Sequence, residues 1–115
     1  MDLAEAVANS HLSHVRRLVE EEGCAVDAHG ADGLTPLCVA SIWGNDDIVA
    51  YLLGQGADPN KANQHTGWTP MHAASFQEHG PIVRRLIAAN ANLRAQDRSM
   101  RTPIDFASVS YVHPT

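Results

Sequence analysis

One six-residue phrase returns three times along this chain of 115 residues. Residues 35–40 read TPLCVA, residues 69–74 TPMHAA and residues 102–107 TPIDFA, so the threonines stand 34 and then 33 residues apart. A second register keeps the same step, because Val15, Val49 and Val83 are spaced by 34, as are Leu18, Leu52 and Leu86. Self-similarity at such a period restricts a chain to architectures in which one small unit is stacked on copies of itself.

The repeated phrase reads as the start of a helix. Threonine can accept a hydrogen bond from a first-turn amide, and proline is tolerated at the first helical position because its missing N–H would be unpaired there anyway. Ala40, Ala74 and Ala107 permit close helix approach, and Leu37, Met71 and Ile104 are expected to anchor the core. A second helix follows, in which Ile48-Val49 and Leu52-Leu53 recur as Ile82-Val83 and Leu86-Ile87 with the spacing of one buried face. Each unit is thus a helix pair. Between pairs lie Gly56-Ala57-Asp58-Pro59-Asn60 and the weaker Asn90-Ala91-Asn92, which end a helix and open an extended loop.

Composition agrees with thin, closely packed helices: 44% of residues are hydrophobic but only 5% are aromatic. Eight basic residues against thirteen acidic ones leave a formal charge of −5, a field that does not attract phosphate backbones, so nucleic acid is not an expected partner. Cys24 and Cys38 make no disulfide framework, and no apolar leader follows a basic start, which points to a reducing intracellular compartment, cytoplasmic or nuclear. No apolar run approaches the roughly 20 residues that span a bilayer, so no membrane association is expected.

The sequence G-x-T-P-L-H-x-A-A, an apolar helix, then G-A-D-x-N, at about 33 residues per unit, resembles the ankyrin repeat. The resemblance covers nearly the whole chain. It implies an all-α solenoid of stacked helix-turn-helix pairs with extended loop fingers. It divides the chain into an N-terminal capping unit over 1–29, with Leu3, Ala6, Val15, Leu18 and Val19 in core positions, repeats over 30–62 and 63–95, and an incomplete unit over 96–115.

Several positions depart from the family pattern. Cys38 and Asp105 stand where the family has histidine, whereas His72 keeps it and is expected to serve in structural hydrogen bonding. Glu78 replaces the interhelix glycine represented by Gly44, which suggests a rearranged turn. The loop from Lys61 to Gly67 is one residue longer than its predecessor, so Asn63-Gln64-His65-Thr66 should protrude. The last unit ends on residues 109–115, too short for a second helix. Three arrangements fit this: a tail that folds back as a cap, a fragment of a longer array, or an end covered by another chain, including a second copy of this one.

The resemblance also implies a concave binding face made of loop tips and the exposed side of the first helices. Its variable positions map to His29, Ala31, Asp32, Leu34, Ile42 and Trp43, then to His65, Thr66, Trp68, Phe76 and Gln77, and finally to Met100, Arg101 and Val109. Leu34, Ile42, Trp43, Trp68 and Phe76 make this face more apolar than a solvated one, flanked by His65 and Arg101. Clustered exposed aromatics mark binding surfaces, and Trp68 is the expected anchor. Packing between neighbouring repeats is the competing role for each of these rings. The implied function is a non-catalytic scaffold or inhibitor that binds another protein.

Chemistry is sparsely signalled. His11 and His14 could share a helix face, but no third ligand stands nearby and the cysteines lack paired metal spacing, so no metal or other cofactor is expected. Cys38 lies on a helix of an architecture without a natural deep pocket, and no glycine precedes the Gly-Lys-Ser/Thr ending of a phosphate loop. Glu20-Glu21-Glu22 after Arg16-Arg17 reads as a solvated helix side with i, i+4 pairing.

Overall fold

The computed structural model describes residues 2–106. Among these residues six helices follow one another in three antiparallel pairs: α1 (Leu3–Ala8) with α2 (Leu12–Glu20), α3 (Pro36–Trp43) with α4 (Asp46–Gly54), and α5 (Pro70–Phe76) with α6 (Gly80–Ala88). A further helical turn occupies 103–106. The first helices of the pairs pack in an inner row, α1 on α3 on α5, and the second helices in an outer row, α2 on α4 on α6.

Each inner helix starts as its residues dictate. Thr35 accepts from the Cys38 amide, and Thr69 accepts from the His72 amide while His72 Nδ1 accepts in return from the Thr69 amide at 3.1 Å, a reciprocal cap that satisfies two end donors. In the first unit Asp2 does the same work for Glu5. Asp105, in the place of histidine, accepts from the Thr102 amide at 2.7 Å, so the substitution preserves the cap by other chemistry.

The core is one continuous cluster between the rows. Leu3, Ala6, Val15, Leu18, Leu37, Ile48, Val49, Leu52, Met71, Ile82 and Leu86 are buried, joined by Val7. Val19, Leu53 and Val83 pack against the cluster half-buried. Two expectations fail at the far end. Ile104, expected as a core anchor like Leu37 and Met71, is 68% exposed, and Ile87, expected in the buried face of α6, is also exposed. The reason is positional: Leu37 and Met71 lie on helices that pack against the second helix of their own pair, α4 and α6, and against a neighbouring inner helix, whereas among the described residues no second helix follows the turn at 103–106 and no outer helix packs beyond α6. Val109 lies outside the described residues.

The interhelix turn at Glu78 is not rearranged. Ser10, Gly44 and Glu78 succeed one another at the 34-residue step, and all three take left-handed backbone angles, with φ of 59°, 73° and 60°. The chain closes alike in both later turns, Asn45 N–H onto the Ala40 carbonyl at 3.0 Å and His79 N–H onto Ala74 at 2.9 Å. At Gly44 a side chain would also displace a neighbour: a Cβ there would come within 2.6 Å of the His79 ring, which lies over it with Nε2 3.2 Å from the Ile42 carbonyl.

The loops form short fingers whose ends pair, Gly30 with Leu34, Asn63 with Trp68 and Asp97 with Arg101. The middle finger carries the extra residue. Gln64, His65 and Thr66 are exposed at its tip as expected, but Asn63 is buried, its side chain accepting from the His65 and Thr66 amides. Neighbouring fingers are tied by backbone bonds, Gln64 N–H to Gly33 and Arg98 N–H to Thr66. Adjacent outer helices are tied by Tyr51 donating to Glu20, itself paired with Arg16 at 3.3 Å, and by Arg85 with Asp46.

Candidate functional site

The inner helices and the fingers present one face, and the residues expected on it fall into two groups. Toward the N-terminus, α3 carries half-buried Ile42 and Trp43, which is 64% exposed, beside half-buried Leu34 on the first finger. Together with Val39 and with Asp2, Ala4, Glu5 and Ala8 of the first unit they line a groove of about 320 Å³ between α1 and α3, closed on its finger side by Gly30, Ala31 and Asp32. The small residues of α1 leave this space open. Gly30 lets the finger lie against α1, since a Cβ on it would meet the Ala4 Cβ at 2.9 Å.

Toward the other end the aromatic side chains gather. Trp68, Phe76 and Phe106 are mutually in contact, with ring centroids 4.8 to 5.7 Å apart, mostly edge-on. His72 lies beneath them, and the Arg101 guanidinium sits 4.9 Å from the Phe106 ring. Trp68, the expected anchor, is half-buried and engaged: its indole N–H donates to Asp97 at 3.1 Å. Phe76 remains 54% exposed, and Gln77, His65 and Arg101 are exposed. Of the remaining mapped positions, Ala31, Asp32, Thr66 and Met100 are exposed, while His29 turns its Nε2 toward the Ala62 carbonyl at 3.0 Å. Among the described residues no ring contact joins Trp43 to the Trp68 group, so the apolar strip consists of two patches.

Three contributors were not singled out by sequence: Asp97, Phe106 and the α1 side of the groove. Phe106 carried a signal, being a large ring where the repeated phrase has Val39 and Ala73. Asp97 is buried, and burial opposes its charge. The amides of Arg101 and Ser99 and the Arg101 guanidinium outweigh that cost and hold its carboxyl below the ordinary value.

The polar residues of the inner row are structural. His72 Nε2 lies 2.7 Å from the Arg101 carbonyl, and since a carbonyl only accepts, this nitrogen carries the proton while Nδ1 accepts from Thr69. Cys38 replaces this bridge with a weaker one, its thiol 3.7 Å from the Trp68 carbonyl. Burial pushes that thiol's pKa up to about 11, so it is protonated and no nucleophile at neutral pH. Among the described residues no three His, Cys, Asp or Glu side chains come together as a ligand set, and no helix is long and apolar enough to cross a membrane.

A family model described as "Ankyrin repeats (many copies)" matches residues 37–87. Relatives include the inactive serine/threonine-protein kinase TEX14 of Bos taurus, 35% identical over 105 residues, which are 91% of this chain and 7% of that protein. The Neurogenic locus Notch protein of Drosophila melanogaster is 35% identical, covering 71% of this chain and 4% of its own length. Rabankyrin-5 of Homo sapiens is 40% identical, covering 63% and 6%. The chain therefore spans under a tenth of the length of these relatives.

Proposed function

We infer that this chain, which belongs to the ankyrin-repeat family, binds a partner protein through its inner face, acting as a scaffold or an inhibitor. Ankyrin repeats are in general protein–protein interaction modules, and stacked repeats offer a continuous concave surface for that purpose. The observation that carries the choice of face is the exposure of Trp43 and Phe76 on successive inner helices, a costly use of aromatic surface unless a partner covers it. Leu34, Ile42, Trp68, His65, Gln77 and Arg101 complete the surface. Trp68 contributes by supporting Phe76 and Arg101 through Asp97 as much as by its own exposed edge.

The test is affinity capture from cell extract, comparing the native chain with a Trp43→Ala, Phe76→Ala double variant. Both side chains are exposed, so the melting temperature should move by no more than a few degrees. Capture of specific partners should fall at least about tenfold, as loss of two binding aromatics implies. Undiminished capture by the folded variant would remove the inner face from the reading.

A second reading is favoured by the far end of the stack, where Ile87, Leu93, Met100 and Ile104 are all exposed. A second copy of the chain covering them would hide this apolar surface. Sedimentation at two concentrations should then show a concentration-dependent dimer that Ile104→Glu abolishes; a monomer at both concentrations rules the copy out.

A further inference from the structure

The groove between α1 and α3 joins an apolar floor to a rim of a single charge sign. Its floor and one wall are Ala4, Ala8, Val39, Ile42 and Leu34, and Trp43 stands exposed beside it. Its rim holds the carboxylates of Asp2, Glu5 and Asp32, and among the described residues no arginine or lysine lines it. Glu5 and Asp32 are exposed, and among the described residues neither carboxylate has an ion-pair or side-chain hydrogen-bond partner.

The imbalance extends beyond the groove. Ten of the thirteen acidic residues lie within residues 1–60, where the only basic ones are Arg16 and Arg17. Both stand on α2 in the outer row, paired with Glu20 and Glu22. Neither arginine lines the groove, so among the described residues its carboxylates Asp2, Glu5 and Asp32 face no basic side chain around the apolar concavity, and low-dielectric walls focus such a field.

Resting on the inner-face reading above, we propose that this groove is a docking site for a partner segment that presents an arginine or lysine beside an aliphatic or aromatic residue. The cation would lie between Glu5 and Asp32 and over the exposed Trp43 ring, where a guanidinium or ammonium is attracted both by the carboxylates and by the ring face. The neighbouring apolar side chain would fill the space above Ala4, Ala8 and Ile42. An acidic or purely apolar segment gains nothing from the rim.

The test selects binders to the full chain from a randomised peptide library displayed on phage and measures each selected synthetic peptide against three variants. These are Glu5→Gln with Asp32→Asn, Trp43→Ala, and Phe76→Ala. The expected selection is a basic residue within two positions of an apolar one. Affinity should fall about tenfold in the first variant and about tenfold in the second, roughly the sum of two exposed ion pairs or one cation–aromatic contact with its buried area. Phe76→Ala should leave it within about twofold, since Phe76 does not line the groove. Raised salt should weaken binding to the native chain and have little effect on the neutralised one. Peptides without a basic residue, or with affinity untouched by the neutralised rim but lost in Phe76→Ala, overturn the groove while leaving the inner-face reading intact. Peptides indifferent to all three variants overturn both, and failure to select any peptide overturns the groove.

Discussion

Leu37→Ala is expected to destabilise the chain by about 3 kcal/mol, within the roughly 2–5 kcal/mol found when a buried leucine is truncated. Leu37 is fully buried on α3, the helix that packs against α1, α4 and α5 at once, so no single neighbour can move in to fill the space. Stacked units contact only their neighbours, and a cavity in the central pair weakens both of its interfaces. Against a total stability of the order of 5–15 kcal/mol for a small domain, that loss is large. Urea unfolding followed by far-ultraviolet circular dichroism should show a lowered midpoint. The matched control is Ile104→Ala, at the equivalent place in the repeated phrase, where exposure predicts a change of only about 0.5 kcal/mol. Equal effects at the two positions would contradict the burial difference described for them.

Asp97→Ala is expected to cost about 3 kcal/mol, because it strands groups that the carboxylate now satisfies together: the Trp68 indole N–H, the Ser99 and Arg101 amides, and the Arg101 guanidinium. The loss reaches the candidate site as well, since Trp68 and Arg101 then lose the group that positions them. Asp97→Asn keeps one acceptor oxygen and should cost less. The acid response follows from the lowered carboxyl pKa. Above the ordinary aspartate value near 3.9, both folded and unfolded chains carry the charge and the full contribution is present. As pH falls below that value the unfolded chain takes up the proton first, and the contribution disappears as pH passes through the lowered folded value. Stability measured from about pH 5 downward should therefore fall more steeply in the native chain than in Asp97→Asn. Parallel curves would mean that Asp97 is not an important source of acid sensitivity.

The helices were legible because their determinants are local and repeated. Thr-Pro openings, the apolar pairs of the second helices and the 34-residue step each depend on neighbours within a turn or on the next copy of the phrase, and Leu52 and Leu86 are buried where the pattern puts them. The same logic failed at Ile104 and Ile87, where the pattern is intact but the covering element is not among the described residues. A pattern states which side of a helix is apolar; whether that side is covered depends on what is stacked against it. At Glu78 the residue type misled, since a left-handed turn that favours glycine was held by a glutamate through the same backbone closure.

The candidate site divides along the same line. Sequence by itself determined the stacked helix pairs, because they follow from a periodicity with a fixed side-chain direction, and the family resemblance implied the inner face with its excess of aromatic side chains. It ranked Trp68 ahead of Trp43 as the anchor, without the distances on which the exposure of each ring depends. Only the tertiary structure placed Asp97, 29 residues further on, within hydrogen-bond reach of Trp68 and left Trp43 open beside an acidic groove. Such a pairing arises across the interface between units, where the partner atom is supplied by a different repeat, and nothing in the local sequence of either residue encodes the distance between them.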